Sequence, residues 1–527
     1  MPSTKTAAQR PVAPDELFPE LVERARRLGT AEALRWVLQQ GQPAERCAQR
    51  LGALHERLLD ELHGTRRRSG AYYTPPLLVQ TLLDQALEPV IAAKVSAALG
   101  RLVEDAADFD GLSPTERRKS FDAILSTTVL DPACGAGAFL EAAGERLVGW
   151  LKKAAPSRSS RDLQREVAGQ CLFGVDADEA AALLASFVLG VESDGRIHHG
   201  DSLLDPSPWA GRRFDVVVGN PPFANAIEGL VDQTTKRRLG EQFPELGGTA
   251  DLAFYFLVAA HKRAEPEGAV GLVLPRTVLS APAARSLRER LLRERPPAFI
   301  QAPADPLLFP GANVFITLVV LRRGESCLAS VAEGVARSVR VAAENWWRAI
   351  HVADSAEADR PTVGDFFEVH ASMTAGEAYE LLPHLREGDE AAWPRFVTTG
   401  LIDPGVCLWG GKTCRYLGQR FQRPTFNRES LPEPLGRRVT RMSRPKVLVA
   451  GLSTRVEAFC DEGGDHIGAV STYSIFHPED DLAELRGLCD HLNSEAAAAS
   501  LRHELGATAL GGGRITLTKR FLKGLKL

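Results

Sequence analysis

Residues 127–140 read TTVLDPACGAGAFL. The apolar opening is a short strand, and Gly135 and Gly137 then let the backbone turn sharply and approach a ligand before a helix begins. This places a small-molecule site at the carboxyl end of a strand. The loop lacks a GxGxxG pattern and opens on Asp131, whose carboxylate would repel a pyrophosphate. A cationic cofactor suits it better than a nicotinamide dinucleotide.

Outward from this loop the same rhythm repeats. Apolar runs CLFGVD (171–176), RIHHGD (196–201), FDVVVGN (214–220), AVGLVLP (269–275) and VFITLVVL (314–321) are separated by longer stretches of helical spacing. Strands alternating with helices predict an α/β fold, a doubly wound sheet of the Rossmann-like kind, over residues 67–324. Carboxylates recur at the strand tips. Asp176 stands where it can accept from both hydroxyls of a ribose, and Asp201 where it can accept from an adenine amine. Singly, each acid reads as a helix N-cap; at three successive tips they read as one site.

The strand FDVVVG runs straight into Asn220-Pro221-Pro222-Phe223. A turn is the plain reading of Asn-Pro-Pro, but its place at the tip of an apolar strand downstream of the cofactor loop suits chemistry on an exocyclic amine. Such a nitrogen is a poor nucleophile because its lone pair is delocalised into the ring. Two fixed acceptors, the Asn220 side-chain oxygen and the Pro221 carbonyl, can each take one amine hydrogen and let the lone pair localise, and the prolines hold them in place beforehand. Phe223 would stack on a base extruded from its duplex. Methylation of a pyrimidine carbon through a cysteine is disfavoured, since this loop has no Cys.

These motifs together resemble the N6-adenine DNA methyltransferases of the TaqI-like (gamma) group, including the methylase halves of Eco57I-like enzymes. Gly70–Pro76 (GAYYTPP) resembles that group's N-terminal cofactor motif, followed in order by DPACGAGAF, GVDAD, GDSLL, NPPF, DLAFY (251–255), AVGLVLPRTVL and NVFITLVVL; KVLVAGLSTRVEA and DHLNSE resemble pieces of its recognition domain. The resemblance implies a class I methyltransferase sheet and S-adenosyl-L-methionine as methyl donor. It implies cofactor contacts at Tyr73, Thr74, Asp131, Ala133, Gly135, Gly137, Asp176 and Asp201, with Asn220, Pro221, Pro222 and Phe223 around the target adenine. A second aromatic against the flipped base would be Phe315, with Phe309 the weaker choice. Double-stranded DNA is the implied substrate, a separately encoded restriction endonuclease a possible partner, and a monomer working in the cytoplasm the expected form.

The rest of the chain fits around this core. Residues 1–66 carry apolar residues at helical spacing and predict an N-terminal helical extension. Residues 325–395, including AENWWRAIHVADSAEADRPTV, read as a connector or the start of the next domain. From 396 to 527 short strands dominate and end in the helix-like run 482–505, which predicts a β-rich target-recognition domain. The chain as a whole has net charge −4, but between Lys412 and Lys446 ten basic residues face two acids, a local net charge of +8. Arg415, Arg420, Arg423, Arg437, Arg438, Arg441 and Arg444 of that stretch are expected on DNA, with a solvated surface loop as the plainer alternative. Arg66-Arg67-Arg68 reads equally as a backbone contact or a solvated helix end. Eight scattered cysteines without a CxxC pair suggest no metal site and no disulfide framework. No leader or membrane-spanning run is expected. Other readings of the NPPF-type loop are a protein glutamine methyltransferase, which would be shorter and lack the basic C-terminal region, an RNA adenine methyltransferase, and a non-catalytic binding module.

Overall fold

A computed structural model describes residues 18–40, 47–63, 74–191, 195–205, 211–223, 233–246, 250–303, 315–324, 327–331, 337–339, 341, 346–347, 361–390, 393–509 and 513–527. The chain divides into two units, Met1–Ile350 and His351–Leu527.

The first unit opens with helices α1 (Phe18–Leu28), α2 (Thr30–Gln40) and α3 (Ala48–His63). Helices α4 (Pro76–Ala86), α5 (Glu88–Leu99) and α6 (Pro114–Leu125) lead into β1 (Val129–Asp131). Then follow α7 (Ala138–Ala154), α8 (Ser160–Gln170), β2 (Leu172–Asp176), α9 (Glu179–Leu189), β3 (Ile197–His199) and β4 (Phe214–Gly219). After α10 (Gln233–Gln242) and α11 (Leu252–Arg263) come β5 (Ala264–Pro275), β6 (Pro297–Ala302), β7 (Ile316–Leu321), β8 (Cys327–Val331) and β9 (Arg337–Val339). The nine strands form one sheet in the order β3-β2-β1-β4-β5-β7-β6-β8-β9. Strands β1 to β5 are mutually parallel, and β7 runs antiparallel between β5 and β6.

Every strand quoted from the sequence up to 321 is present, and the doubly wound reading holds. Its physical basis is visible in β4. Val216, Val217 and Val218 point to alternate faces, yet all three are fully buried, as a strand covered on both sides must be. Helices α4 and α11 each pack against β4 and β5, α7 against β1 and β2, and α9 against β2 and β3. Strand order reverses between β1 and β4, which is where an open α/β sheet leaves a crevice at its carboxyl edge. Three strands of this sheet went unread: β6, and the pair β8 and β9 inside the stretch assigned to a connector. Helices α1–α3 form where the periodicity places them and bury Leu21, Leu34, Leu51 and Leu58 together with Leu184 and Phe187 of α9.

The second unit is built on the antiparallel strands Glu368–Ala371, Thr472–Phe476, Lys446–Ala450 and Ala458–Asp461, in that spatial order. Alternation along Lys446–Ala450 divides two cores: Val447 and Val449 pack on one, Leu448 and Ala450 on the other. Val363, Phe367 and Val369 join the first of these cores. The run 482–505 is two helices, Leu482–Leu492 and Glu495–Leu505, because Ser494 caps the second by accepting from the amide of Ala497. No helix among the described residues is long and apolar enough to cross a membrane.

Candidate active site

The carboxyl ends of β1 to β4 open on a cavity of about 400 Å³ whose wall includes Thr74, Asp131, Ala133, Gly135, Asp176, Asp201, Asn220 and Pro222. Sequence reasoning thus brought eight of its expected residues to one place. Gly137, Pro221 and Phe223 do not reach that wall. Gly137 has φ of 94°, and a Cβ there would sit 3.3 Å from Ala185 of α9, so it serves the close passage of the loop over that helix rather than a ligand contact. Phe223 is 6% exposed and packed inward. Tyr73, Phe309 and Arg66 to Arg68 lie outside the described residues. Phe315 is half-buried beneath the Arg276 guanidinium, 4.5 Å from its ring centre, and is absent from the wall; Phe139 of α7 and Phe256 of α11 are the phenylalanines that line it.

The acids differ in what they lack. Asp131 ends β1 at 1% exposure, its Oδ1 accepts from the amide of Ala133 at 3.0 Å, and its Oδ2 has no hydrogen-bond partner among the described residues. Burial, reinforced by the charge of Asp176, pushes its carboxyl up to about 8. The neighbouring strand makes room for it: a Cβ on Gly219, the last residue of β4, would lie 2.5 Å from Asp131 Oδ1. Asp176 is tied down, accepting from Gly135 N at 2.8 Å and Asp178 N at 2.9 Å, yet burial still raises its pKa. Asp178 caps α9. Burial raises its carboxyl, but His55 and two helix amides outweigh this and hold it below the usual range. Asp201 is exposed and spends Oδ1 on the amides of Leu203 and Leu204. Asp176→Ala is expected to weaken S-adenosylmethionine binding roughly 10- to 100-fold, the loss of charge-assisted bonds worth about 1.5–3 kcal/mol. Calorimetric titration checks it, and unchanged affinity would move the ribose contact elsewhere.

Asn220 follows β4 directly. Its Nδ2 donates to Thr74 Oγ1 at 3.0 Å, and its Oδ1 is buried with no partner among the described residues. A buried carbonyl oxygen without a donor is costly and is tolerated where function uses it. With Nδ2 spent on Thr74, Oδ1 is the polar atom of the amide left without a partner among the described residues, on a side chain that lines the cavity. Cys134 also lines the cavity, but burial and then the charges of Asp176 and Asp131 push its thiol well above its ordinary value, so it is no nucleophile.

One wall was not legible. Gly52, His55 and Glu56 of α3 line the cavity. Helix α3 is held there by Glu141 of α7, whose carboxylate accepts from the amide of Ala48 at 3.1 Å, and His55 Nε2 stands 3.4 Å from Asp178 Oδ2. Helical periodicity announced α3 but not the site it faces.

In the second unit the basic stretch is partly consumed by internal pairing. Lys446 is fully buried with Asp461 at 2.5 Å, Arg444 pairs with Asp480 at 2.6 Å, and Arg438 donates to the carbonyl of Ala371 at 2.6 Å. Arg423 reaches Asp389 and Arg437 reaches Glu433, both at exposed positions. Lys412, Arg415, Arg420, Arg428 and Arg441 are exposed and make no ion pair among the described residues.

Comparison with known proteins places this geometry. Residues 118–332 match the N-6 DNA Methylase family model. The chain is 26% identical over 176 residues to the type I restriction enzyme EcoEI methylase subunit of Escherichia coli, a match covering 33% of each chain. It is 25% identical over 209 residues to the type I restriction enzyme MjaIX methylase subunit of Methanocaldococcus jannaschii, covering 38% of this chain and 34% of that one. The chain thus spans about a third of the length of these relatives. Among solved structures, the type IIL restriction-modification enzyme MmeI in complex with DNA aligns with a TM-score of 0.59 at 14% identity, over 92% of this chain and 72% of that one. The likeness to the N-6 DNA Methylase family thus lies on residues 118–332, which carry most of the doubly wound sheet of the first unit.

Proposed function

We propose that this chain is a site-specific DNA methyltransferase that transfers a methyl group from S-adenosyl-L-methionine to N6 of adenine within a short double-stranded sequence, as the modification component of a restriction system. The observation that carries this reading is the Asn220 amide, anchored through Nδ2 and left with an unpartnered Oδ1, on a residue that lines the cavity together with the three acids. The order of motifs, with the cofactor region ahead of the catalytic loop and the basic region last, favours the gamma arrangement. A separately encoded endonuclease fits the kinship with methylase subunits.

The cavity fits the donor by its chemistry. Asp131 offers an unsatisfied, buried carboxyl oxygen to a cation, Asp176 a carboxylate to ribose hydroxyls, and Asp201 an acceptor to an adenine amine. When bound, S-adenosylmethionine supplies an electrophilic methyl group on a sulfonium that leaves as a neutral thioether. The protein's part is to prepare the nucleophile. Asn220 Oδ1 and the Pro221 carbonyl each accept one N6 hydrogen, which draws the amine out of conjugation and fixes its direction of attack. Nitrogen gains the methyl and loses one proton to solvent, so no strong base is required. Aromatic stacking on the extruded base falls to Phe223 only if it turns outward from its packed position; Phe256 already faces the cavity. The exposed arginines of the second unit would hold the duplex by its phosphates.

The test is modified-base sequencing of DNA from an unmodified host expressing the chain. N6-methyladenine confined to one short motif is the expected result. Well-expressed protein that leaves no modified adenine in DNA overturns the reading, and methylated adenine in RNA instead would redirect it.

A further inference from the structure

Strands Cys414–Tyr416 and Gln419–Phe421 form a hairpin closed by a two-residue turn, Leu417-Gly418. Its inner face is anchored, with Cys414, Tyr416 and Phe421 buried in one hydrophobic core and Tyr416 packed edge-on to Phe396 at 4.7 Å. Its outer face pairs Arg415 directly opposite Arg420. Like charges at opposed positions of a strand pair repel, and both arginines are exposed and without an ion pair among the described residues. The turn adds a second oddity. Leu417 and Gly418 have φ of 45° and 88°, the geometry of a tight primed turn that favours Asn-Gly. Leucine enters this region rarely, and here it stands 40% exposed at the tip. Neither the opposed arginines nor the apolar tip benefits the isolated fold, whereas a polyanion with an apolar floor would satisfy both.

We propose that residues 414–421 form a groove-reading ribbon that enters the major groove of the target duplex, Leu417 leading and Arg415 and Arg420 spanning to the flanking phosphates. A two-stranded ribbon matches the width of that groove in B-form DNA. The inference rests on the DNA reading above, and it assigns the hairpin a share in sequence choice.

Full-length wild type, Leu417→Asn and the double variant Arg415→Ala/Arg420→Ala test it by salt-dependent DNA binding, methylated-motif sequencing, S-adenosylmethionine titration and thermal melting. The double variant is expected to bind target DNA roughly 10- to 100-fold more weakly and to flatten the dependence of log affinity on log salt by about two, one for each lost phosphate contact. Leu417→Asn should melt no lower than wild type, because asparagine tolerates the turn, while relaxing or shifting the methylated motif. Cofactor affinity should hold in both variants. Wild-type motif and affinity in both variants overturn the ribbon alone, provided the wild type methylates DNA; a wild type that neither binds nor methylates DNA overturns the parent reading with it. Equal competition by duplex RNA also overturns it, since the A-form major groove is too narrow to admit a ribbon.

Discussion

Asn220→Ala is expected to lower single-turnover methylation by roughly 100- to 1,000-fold, the usual cost of removing one preorganised polar contact from a transition state, while S-adenosylmethionine binds as before. The separation follows from where the side chain spends its two polar atoms. Nδ2 is used on Thr74 and Oδ1 on nothing among the described residues, so the truncation removes an acceptor for the adenine amine without removing a donor or carboxylate from the cofactor wall. Thr74 gives the same idea an independent handle. Thr74→Val removes the hydroxyl that holds Nδ2 and lets the amide turn its NH2 group toward the cavity, where it would oppose an amine donor. Its rate should fall by about 2- to 10-fold, the value of one neutral hydrogen bond, and Thr74→Ser should recover most of it. A purely structural Thr74 would show the loss in melting temperature instead of in rate. Wild-type turnover by Asn220→Ala would end the proposed mechanism.

How much of this was legible depends on whether the information is local. The strand tips were readable because a strand buried on both faces must be apolar throughout and must then change abruptly to polar loop residues, as FDVVVG does at Asn220. Asp131, Asp176, Asp201 and Asn220 were found through that change, and they do share one cavity. Strand β6, PAFIQA, was missed because it opens on proline and alternates weakly. The α3 wall could not be read at all, since its amphipathic pattern encodes burial against α9 and carries no mark of the cavity at its edge. The basic stretch misled in a different way. Its +8 counts charges along the chain, whereas Asp461, Asp480 and Asp389, which neutralise Lys446, Arg444 and Arg423, lie 15 to 36 residues away in sequence. Net charge over a window cannot see partners outside it.

Asp131→Asn should stabilise the protein without ligand while weakening its hold on S-adenosylmethionine, and both effects trace to one buried oxygen. The Asp131 carboxyl titrates near 8 in the fold because burial penalises its charged form, against about 3.9 in an unfolded chain. Between those values the unfolded chain has released the proton and the folded chain keeps it, so stability falls by about 1.4 kcal/mol per pH unit as pH rises from about 4 to about 8 and is flat beyond. Near neutrality the accumulated cost is on the order of a few kcal/mol, which asparagine, never charged, does not incur. A higher melting temperature for the variant at pH 7 to 8, vanishing near pH 4, is the expected signature. A cationic ligand reverses the preference. Binding beside Oδ2 favours the carboxylate, so wild type should release up to one proton on binding near pH 7, and affinity should rise with pH until it levels off above about 8. Calorimetry in buffers of different ionisation enthalpy reads the proton directly, and Asp131→Asn should show neither the release nor the pH dependence. Equal proton release by the two proteins would mean that the orphan oxygen faces no cation, and the assignment of Asp131 to the cofactor would fail even if methylation were intact.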